Sequence, residues 1–341
     1  MSQTRPSIFY LDLLRCLAAI AVVLIHVLGP WRHLWGLAPM DQWMAASGYN
    51  ALSRWAVPVF MMITGALLLS DNRPFVCKDY MKRRLLKVVV PFVAWTLIYS
   101  IASGWTDGGF SQELVTDTLV GSPREPAWYH LWFFYDFIPL YFVIPLLVPL
   151  LANMDKERVK LIIAAWMLLT LMHWLHVDTP LRQNLILYSG YLILGWYLFN
   201  RDNSQQVKWW VLAGSLALLI NLTGTWWFAE LKRGYSAFFM GYKSLNTVVI
   251  AAMLFVVAQR YADRIQGPLR NMISLIARYS LGIYLVHPLL LIPVRNLGNG
   301  VYHWFGSNWV GLPVISLLTL IAALLLTMAL SRIPVINRIV P

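Results

Sequence analysis

Two ionisable residues stand inside the first apolar segment of this 341-residue chain, where a membrane helix normally carries none. The segment YLDLLRCLAAIAVVLIHVLG contains Arg15 and His26. At about 100° per residue in an α-helix, the two lie within about 20° of one face and about 16 Å apart along the axis. Guanidinium groups bind phosphates, and imidazoles transfer protons near neutral pH. The spacing therefore predicts an anion site and a general base towards opposite ends of one helix.

The composition is that of a polytopic membrane protein. Hydrophobic residues make up 59% of the chain, charged residues only 12%, and the mean hydropathy is +0.61. A soluble protein with a single core does not carry this much apolar surface. The formal charge of +12 does not indicate nucleic-acid binding, because the basic residues lie between apolar segments and form no basic tail. The two cysteines, Cys16 and Cys77, imply no disulfide framework.

Ten apolar segments of about twenty residues predict an all-α, polytopic transmembrane helix bundle. Their approximate bounds are 8–28, 50–70, 85–105, 129–152, 158–177, 182–199, 207–229, 236–258, 272–294 and 312–332. With a cytoplasmic N-terminus, nineteen lysines and arginines, Arg5 among them, fall on the inner side, and Lys243 stays inside the eighth span. The outer side has seven, which are Arg32, Arg54, Arg124, Arg182, Lys232, Arg233 and Arg295. The positive-inside rule then places both termini in the cytoplasm.

This orientation predicts a layer of cations facing the cytoplasm. It consists of Arg15, the run Lys82, Arg83, Arg84 and Lys87 before the third span, and Arg278 at the start of the ninth. Arginine binds phosphate as a bidentate fork and lysine as a point charge, so the layer suits a nucleotide-like donor. The alternative for the basic run is a topology signal in contact with lipid headgroups.

A second predicted layer consists of three histidines in the outer part of their helices, His26, His130 and His287. An outer imidazole is suited to act as a general base. Snorkelling or interhelical hydrogen bonding is the alternative for Arg15 and His26, and an interfacial aromatic belt is the alternative for His130.

Three further charged residues lie in apolar surroundings. Asp136 could orient an imidazole, and Lys243 could pair with an anionic acceptor or a succinyl carboxylate. Alternatively, the two pair with each other or line water. Asp12, one turn before Arg15, is expected to be the ion-pair partner of that arginine.

Five blocks of the chain resemble the acyltransferase 3 family of integral membrane O-acyltransferases. The family hallmark in the first helix, a basic residue, ten intervening residues and a histidine, is matched by Arg15 and His26. The stretch PVFMMITG resembles the P-V-F-F-x-x-S-G block. Arg84 and Lys87 resemble the R-x-x-R block, with a lysine in place of the second arginine, so that a cation is kept and a bidentate guanidinium group is lost. HLWFF and YSLGIYLVHPLLL match two more blocks. The length and two of the blocks are similar to standalone members that acetylate surface polysaccharides.

This resemblance implies an acyl-CoA donor, either acetyl-CoA or succinyl-CoA, as co-substrate, and a sugar hydroxyl on a cell-surface or lipid-linked glycan as acceptor. It suggests CoA phosphates near Arg15, Arg84, Lys87 and Arg278, with His26 as the general base. Thr64, Tyr284 or a second histidine could donate to the oxyanion, and a covalent acyl-histidine relay is the competing mechanism. We expect no tightly bound cofactor and no metal.

The expected protein is one integral membrane domain over residues 1–341 in the bacterial inner membrane, without an appended soluble domain. Its expected partners are acyl-CoA, the glycan and membrane lipids, with no nucleic acid, and a homo-oligomer stays open. The rival class is a transporter or flippase of a lipid-linked sugar or another anionic substrate, because buried charges also mark transport pathways.

Overall fold

The computed structural model describes residues 8–71, 73–181, 183–296 and 301–340, and these residues are mostly helical. Arg5 and Arg182, the latter being the first residue of the predicted sixth span, lie outside them. A short hairpin pairs β1 (Trp105–Thr106) with β2 (Gly109–Phe110). The α-helices of the described residues are α1 (Phe9–Val27), α2 (Met40–Ser53), α3 (Ala56–Leu68), α4 (Cys77–Arg84), α5 (Val90–Ser103), α6 (Gln112–Gly121), α7 (Trp132–Ala152), α8 (Lys156–Trp174), α9 (Asn184–Phe199), α10 (Val207–Lys232), α11 (Leu245–Tyr261), α12 (Gly267–Arg278), α13 (Ser280–Asn296) and α14 (Asn308–Leu330).

Seven helical stretches in the described part of the chain are long and apolar enough to cross a membrane. They are Phe9–Val27, Met40–Leu68, Cys77–Ser103, Trp132–Ala152, Ser204–Lys232, Leu245–Arg264 and Asn308–Leu330. An eighth exists if α12 and α13, which meet at a bend of 73°, count as one broken span. The protein is therefore multi-pass, as the sequence predicts, while ten spans and cytoplasmic termini stay predictions.

Three predicted boundaries are wrong in detail. The second span is formed by two helices, α2 and α3, and the ninth is broken at Tyr279. The eighth begins at Leu245 and not at 236, because Ser244 caps α11 by accepting a hydrogen bond from the backbone N–H of Thr247. Lys243 consequently precedes the helix and does not lie inside it.

Helix α1 occupies the middle of the bundle, and this placement determines where its two ionisable residues point. It packs against α2, α3, α11, α12, α13 and α14. The side chains of Leu17 and Ile20 are exposed on its outer face, whereas Arg15 and His26 are half-buried. The stripe that carries Arg15 and His26 therefore faces other helices.

Glycines bring α3 and α9 into backbone contact. A Cβ atom added to Gly65 would lie 2.0 Å from the carbonyl oxygen of Leu192, and one added to Gly195 would lie 2.1 Å from that of Met62. Small residues at a helix crossing allow this close approach in membrane bundles. Gly65 ends the PVFMMITG block, so this block positions Thr64 on a rigid helix pair.

A π-helical turn, Leu85–Val89, separates α4 from α5. Pro91, the second residue of α5, has no backbone N–H, and its ring excludes the carbonyl of residue 87 from a regular turn. The backbone hydrogen bonds change locally to the wider spacing of a π-helix, which accommodates the proline. As a result, the basic run is divided, with Arg84 at the end of α4 and Lys87 inside the π turn.

Candidate functional site

The three histidines predicted at similar depth lie together at one end of the bundle, called here the His26 end. The ring centroids of His26 and His287 are 4.9 Å apart, and their planes are within 4° of parallel. The ring of His130 is 6.3 Å from that of His26 and 6.0 Å from that of His287. Residues from α1, α13 and the turn before α7 therefore form one imidazole cluster.

A hydrogen-bond chain determines the tautomers of two of these rings. His287 Nδ1 lies 2.8 Å from the carbonyl oxygen of Ile283, and a carbonyl can only accept, so Nδ1 carries the proton. His287 Nε2 is then an acceptor, and it lies 2.6 Å from His26 Nδ1, which must donate. This pattern leaves His26 Nε2 with a free lone pair. In this arrangement Nε2 is therefore the unprotonated nitrogen of the His26 ring.

His130 is fully buried between aromatic rings. Its centroid is 4.8 Å from that of Tyr99 and 5.2 Å from that of Tyr284, and the Tyr284 hydroxyl donates to the backbone carbonyl of His130. Neither ring nitrogen of His130 has a hydrogen-bond partner within the described chain. Buried polar atoms are normally paired, so both nitrogens are open to a hydrogen bond with a bound group.

The cluster does not have the geometry of a metal centre. Among the residues that the structure describes, no three His, Cys, Asp or Glu side chains are arranged to hold a metal ion. His26 Nδ1 and His287 Nε2 are only 2.6 Å apart, which leaves room for a proton and none for a metal ion between them.

Arg15 lies at the opposite end of α1 and lines a cavity of about 330 Å³. Arg84 lines the same cavity, which brings together two of the predicted phosphate-binding residues. Most of the remaining wall is apolar and comes from α3, α7 and α13, including Phe60, Phe133 and Leu281. Two cations in the wall of a largely apolar chamber suit a ligand with an anionic head and an uncharged arm.

A second cavity of about 360 Å³ adjoins the first and shares Leu68 and Arg84 with it. Arg73 and Arg83 line this cavity too. The guanidinium of Arg84 lies 5.6 Å and 5.4 Å from the ring centroids of Tyr80 and Tyr141. Its Nε is buried without a hydrogen-bond partner in the described residues.

Asp12 is the partner of Arg15, as the sequence predicts. Its Oδ1 accepts a hydrogen bond of 2.8 Å from Arg15 Nη1. The two other cations predicted for this layer are placed differently. Lys87 and Arg278 are exposed and line neither of the two cavities, because the π turn rotates Lys87 outwards and Arg278 ends α12 before the bend.

The two hydroxyl groups considered for the oxyanion site are already donating. Thr64 Oγ1 donates to the carbonyl of Phe60 at 2.9 Å, and the Tyr284 hydroxyl donates to His130. Both side chains line the first cavity. Because each hydroxyl has one proton, neither is free to donate to a ligand in this arrangement.

In the described part of the chain, Asp136 and Lys243 are joined to each other through Asn184 rather than to the imidazole cluster. Asn184 bridges them, donating to Asp136 Oδ1 at 2.8 Å and accepting from Lys243 Nζ at 2.6 Å. The proposed role of Asp136 in orienting a histidine has no counterpart in these contacts. The observed bridge through Asn184 agrees better with the alternative prediction, in which Asp136 and Lys243 pair with each other.

Tyr284 stands between the first cavity and the imidazole cluster. Its side chain lines the cavity, while its ring centroid is 5.2 Å from that of His130 and 6.1 Å from that of His287. His26 itself does not line the cavity. The two ends of α1 are therefore connected through one tyrosine side chain.

Sequence reasoning missed Arg295 as a member of the site. Its Nη2 donates to the backbone carbonyl of His26 at 2.8 Å and to the Tyr129 hydroxyl at 3.4 Å. The ring of Tyr129 lies 5.1 Å from that of His26. A signal was present, since an arginine eight residues beyond His287 runs against the positive-inside rule.

The structure is that of a multi-pass helical bundle with an imidazole cluster at one end and cavity-lining arginines towards the other. The family model described as an acyltransferase domain matches residues 8–328 of this chain. The chain therefore belongs to the acyltransferase 3 family and is a membrane acyltransferase. This match confirms the family that the five sequence blocks indicate.

Similar proteins include the probable poly-beta-1,6-N-acetyl-D-glucosamine export proteins of Staphylococcus aureus strains MSSA476 and MW2. Each is 21% identical over 253 residues, which cover 69% of this chain and 68% of the relative. No solved structure matches the chain.

Proposed function

We propose that the protein transfers an acyl group from acyl-CoA, bound at the Arg15 end, to a sugar hydroxyl of a glycan at the His26 end. The observation that carries this proposal is the hydrogen-bond chain through His287, because it leaves His26 Nε2 as an unprotonated base. Family membership and the name of the Staphylococcus aureus relatives support an acyltransferase that acts on a polysaccharide.

The proposed reaction uses His26 twice. Its Nε2 removes the proton of the sugar hydroxyl, and the oxygen attacks the thioester carbonyl to give a tetrahedral oxyanion. Collapse of this intermediate breaks the carbon–sulfur bond, forms the sugar ester and releases the CoA thiolate, which takes the proton from His26. His287 keeps His26 in the reactive tautomer throughout, as a positioning residue.

His130 is the best-placed donor for the oxyanion. Its two ring nitrogens are buried and without a partner in the described residues, and in the neutral ring one of them carries a proton. The hydroxyl groups of Thr64 and Tyr284, in contrast, already donate hydrogen bonds to backbone carbonyls. A donor held in a dry, packed site stabilises a developing negative charge strongly.

The donor is proposed to bind with its phosphates at Arg15 and Arg84 and its pantetheine arm in the first cavity. The apolar walls of that chamber suit an uncharged arm. Rotation of Tyr284 would join the chamber to the imidazole cluster. We propose acetyl as the transferred group, since Lys243, the residue considered for a succinyl carboxylate, bonds Asn184 and does not line the chamber.

The membrane topology is proposed to comprise ten spans with both termini in the cytoplasm of a bacterium. The bent pair α12 and α13 and the helices α8 and α9 would complete the seven long spans. Helix α8 carries its four charges within its first five residues, Lys156 to Lys160, and the rest is uncharged apart from His173. The Arg15 end then faces the cytoplasm, where acyl-CoA is made.

The acceptor is proposed to be a cell-surface or lipid-linked glycan. The chain resembles standalone family members that acetylate surface polysaccharides, such as the enterobacterial common antigen O-acetyltransferase, in its length and in its HLWFF and SLGIY blocks.

The decisive experiment uses purified protein in nanodiscs with acetyl-CoA labelled in the acetyl group. The His26→Ala variant should lose acetyl transfer and thioester hydrolysis while retaining CoA binding. The matched control is His176→Asn, an exposed histidine at positive φ, which asparagine tolerates. Loss of CoA binding in His26→Ala, or full activity without His26, would overturn the assignment of the base.

Polysaccharide export is the second candidate, favoured by the name of the Staphylococcus aureus relatives. It predicts passage of a glycan across proteoliposomes without consumption of acyl-CoA. Acetylated product that depends on His26 would argue against it.

A further inference from the structure

Three arginines gather at the His26 end of the bundle. They are Arg32 in the loop after α1, Arg54 in the turn between α2 and α3, and Arg295 in the last turn of α13. Each is half-buried, and none of them forms an ion pair within the described part of the chain. We call these three residues the arginine arc.

Arg295 connects the arc to the proposed base. One of its guanidinium nitrogens donates to the backbone carbonyl of His26, and its charge lies 5.1 Å from the ring centroid of Tyr129. Its Nε is buried and has no partner among the described residues. Part of the guanidinium fork is therefore still available to bind a ligand beside His26.

Arg54 and Arg32 are held by tyrosines from the segment between α10 and α11. Arg54 lies 4.5 Å from the ring centroid of Tyr242 and donates to the Tyr235 hydroxyl, and its Nε is buried without a partner in the described chain. Arg32 lies 5.8 Å from the centroid of Tyr235. Both arginines thus share Tyr235 as a neighbour.

Arg32 also donates a hydrogen bond to the next residue in the chain, His33. Its Nε donates to His33 Nε2 at 2.9 Å. Partial burial and the adjacent Arg32 charge lower the pKa of the His33 imidazole below its usual value, so the ring stays neutral near pH 7. Among the described residues, the Nη groups of Arg32 donate no hydrogen bond to another side chain, and they extend the donor surface of the arc.

Positive charge of this kind is costly without an anion. Half-buried guanidinium groups lose part of their hydration, and cation–π contacts with tyrosine rings offset only part of the resulting desolvation free energy. In the proposed topology these arginines also lie on the side of the membrane where cations are disfavoured. An anionic group on the substrate would offset this cost.

We propose that the arginine arc binds a phosphate or carboxylate group of the acceptor glycan, so that the enzyme is selective for anionic acceptors. This inference rests on the proposed function, and it adds the chemical class of the acceptor. Arginine forks match both groups in bidentate geometry. Because Arg295 is anchored to the His26 carbonyl, an anion bound there places a nearby sugar hydroxyl within reach of the base.

The test compares glucose 1-phosphate and glucuronate with glucose as soluble acceptors, using protein in phosphatidylcholine nanodiscs. The charged sugars should be acetylated with kcat/KM at least about tenfold higher than glucose, as one charge-assisted hydrogen bond predicts. Arg54→Gln and Arg295→Gln should each remove most of this preference and leave KM for acetyl-CoA unchanged. Arg295→Lys should restore part of it. Arg233→Gln, an exposed arginine that pairs with Glu230, is the matched control.

A binding readout separates this inference from the proposed function. In the His26→Ala background, glucose 1-phosphate should raise the thermal midpoint more than glucose does, and Arg54→Gln should abolish the difference. If that shift appears while the unmodified protein transfers no acetyl group either, the proposed function fails and the anion site stands. If the phosphate of a membrane lipid is the true ligand, phosphatidylglycerol will give the shift and the sugars will not, which overturns the proposal. Equal kcat/KM for charged and neutral sugars overturns it too.

Discussion

His26 and His287 face each other with parallel rings, and the Nδ1 atom of the first lies 2.6 Å from the Nε2 atom of the second. The partners are 261 positions apart in the chain. Since His287 Nδ1 is committed to the Ile283 carbonyl, only one assignment of protons satisfies all three groups when both rings are neutral. One helix thereby supplies the proposed base, and another sets its tautomer.

Replacement of His287 should lower kcat without weakening donor binding. His287→Leu removes the acceptor of His26 Nδ1, so the proton moves freely between the two nitrogens and the ring loses its fixed orientation. We expect kcat to fall by roughly 10- to 100-fold, the usual effect of removing a group that orients a functional histidine. His287→Gln, whose amide oxygen accepts a hydrogen bond, should restore part of the rate. Similar rates for the two variants would indicate a purely structural role.

Arg15 should control the affinity for acyl-CoA. Because the side chain lines the first cavity, Arg15→Gln removes a charge-assisted contact to phosphate worth about 1.5–3 kcal/mol, equivalent to a roughly 10- to 150-fold rise in KM. The value of kcat at saturating donor should change little. Arg158→Gln, an exposed arginine paired with Asp155, serves as the control. A fall in kcat with unchanged KM would place Arg15 in the chemical step instead.

Gly65 should be intolerant of any side chain. A Cβ atom at this position would lie 2.0 Å from the Leu192 carbonyl oxygen, which is backbone and cannot rotate away. Gly65→Ala should destabilise the protein by about 1–3 kcal/mol, as overpacked cores do. Thermal unfolding in detergent measures the loss. Gly121→Ala, where an added Cβ meets nothing within 4 Å, should leave the midpoint unchanged; equal effects would show that α3 and α9 are not in contact.

The native cysteines report the orientation in the membrane. Cys77 is exposed near the Arg15 end, whereas Cys16 is buried. A membrane-impermeant maleimide should therefore leave Cys77 unlabelled in intact cells and modify it in inside-out vesicles. Arg124→Cys in a Cys77→Ser background, which puts the thiol in the exposed segment before α7, should give the opposite result. Labelling of Cys77 in intact cells would reverse the proposed topology.

The sequence alone predicted the helical, multi-pass class and the resemblance to the family, because hydropathy and local motifs are properties of neighbouring residues. It also predicted the pair Asp12 and Arg15, since an i, i+3 spacing brings side chains together in any helix. The placement of Lys243 inside a helix was wrong, because the capping serine that starts α11 lies within an apolar stretch and leaves hydropathy unchanged.

Only the tertiary structure decided which of the candidate residues meet. Depth along a helix follows from residue number, so His26, His130 and His287 could be placed in one layer, but the rotation of each helix about its axis depends on packing. That rotation turns His287 towards His26, directs Lys87 and Arg278 away from the cavities, and brings Arg295 to the backbone carbonyl of His26. Local sequence determines which residues are available at each depth, and long-range packing determines which of them act together.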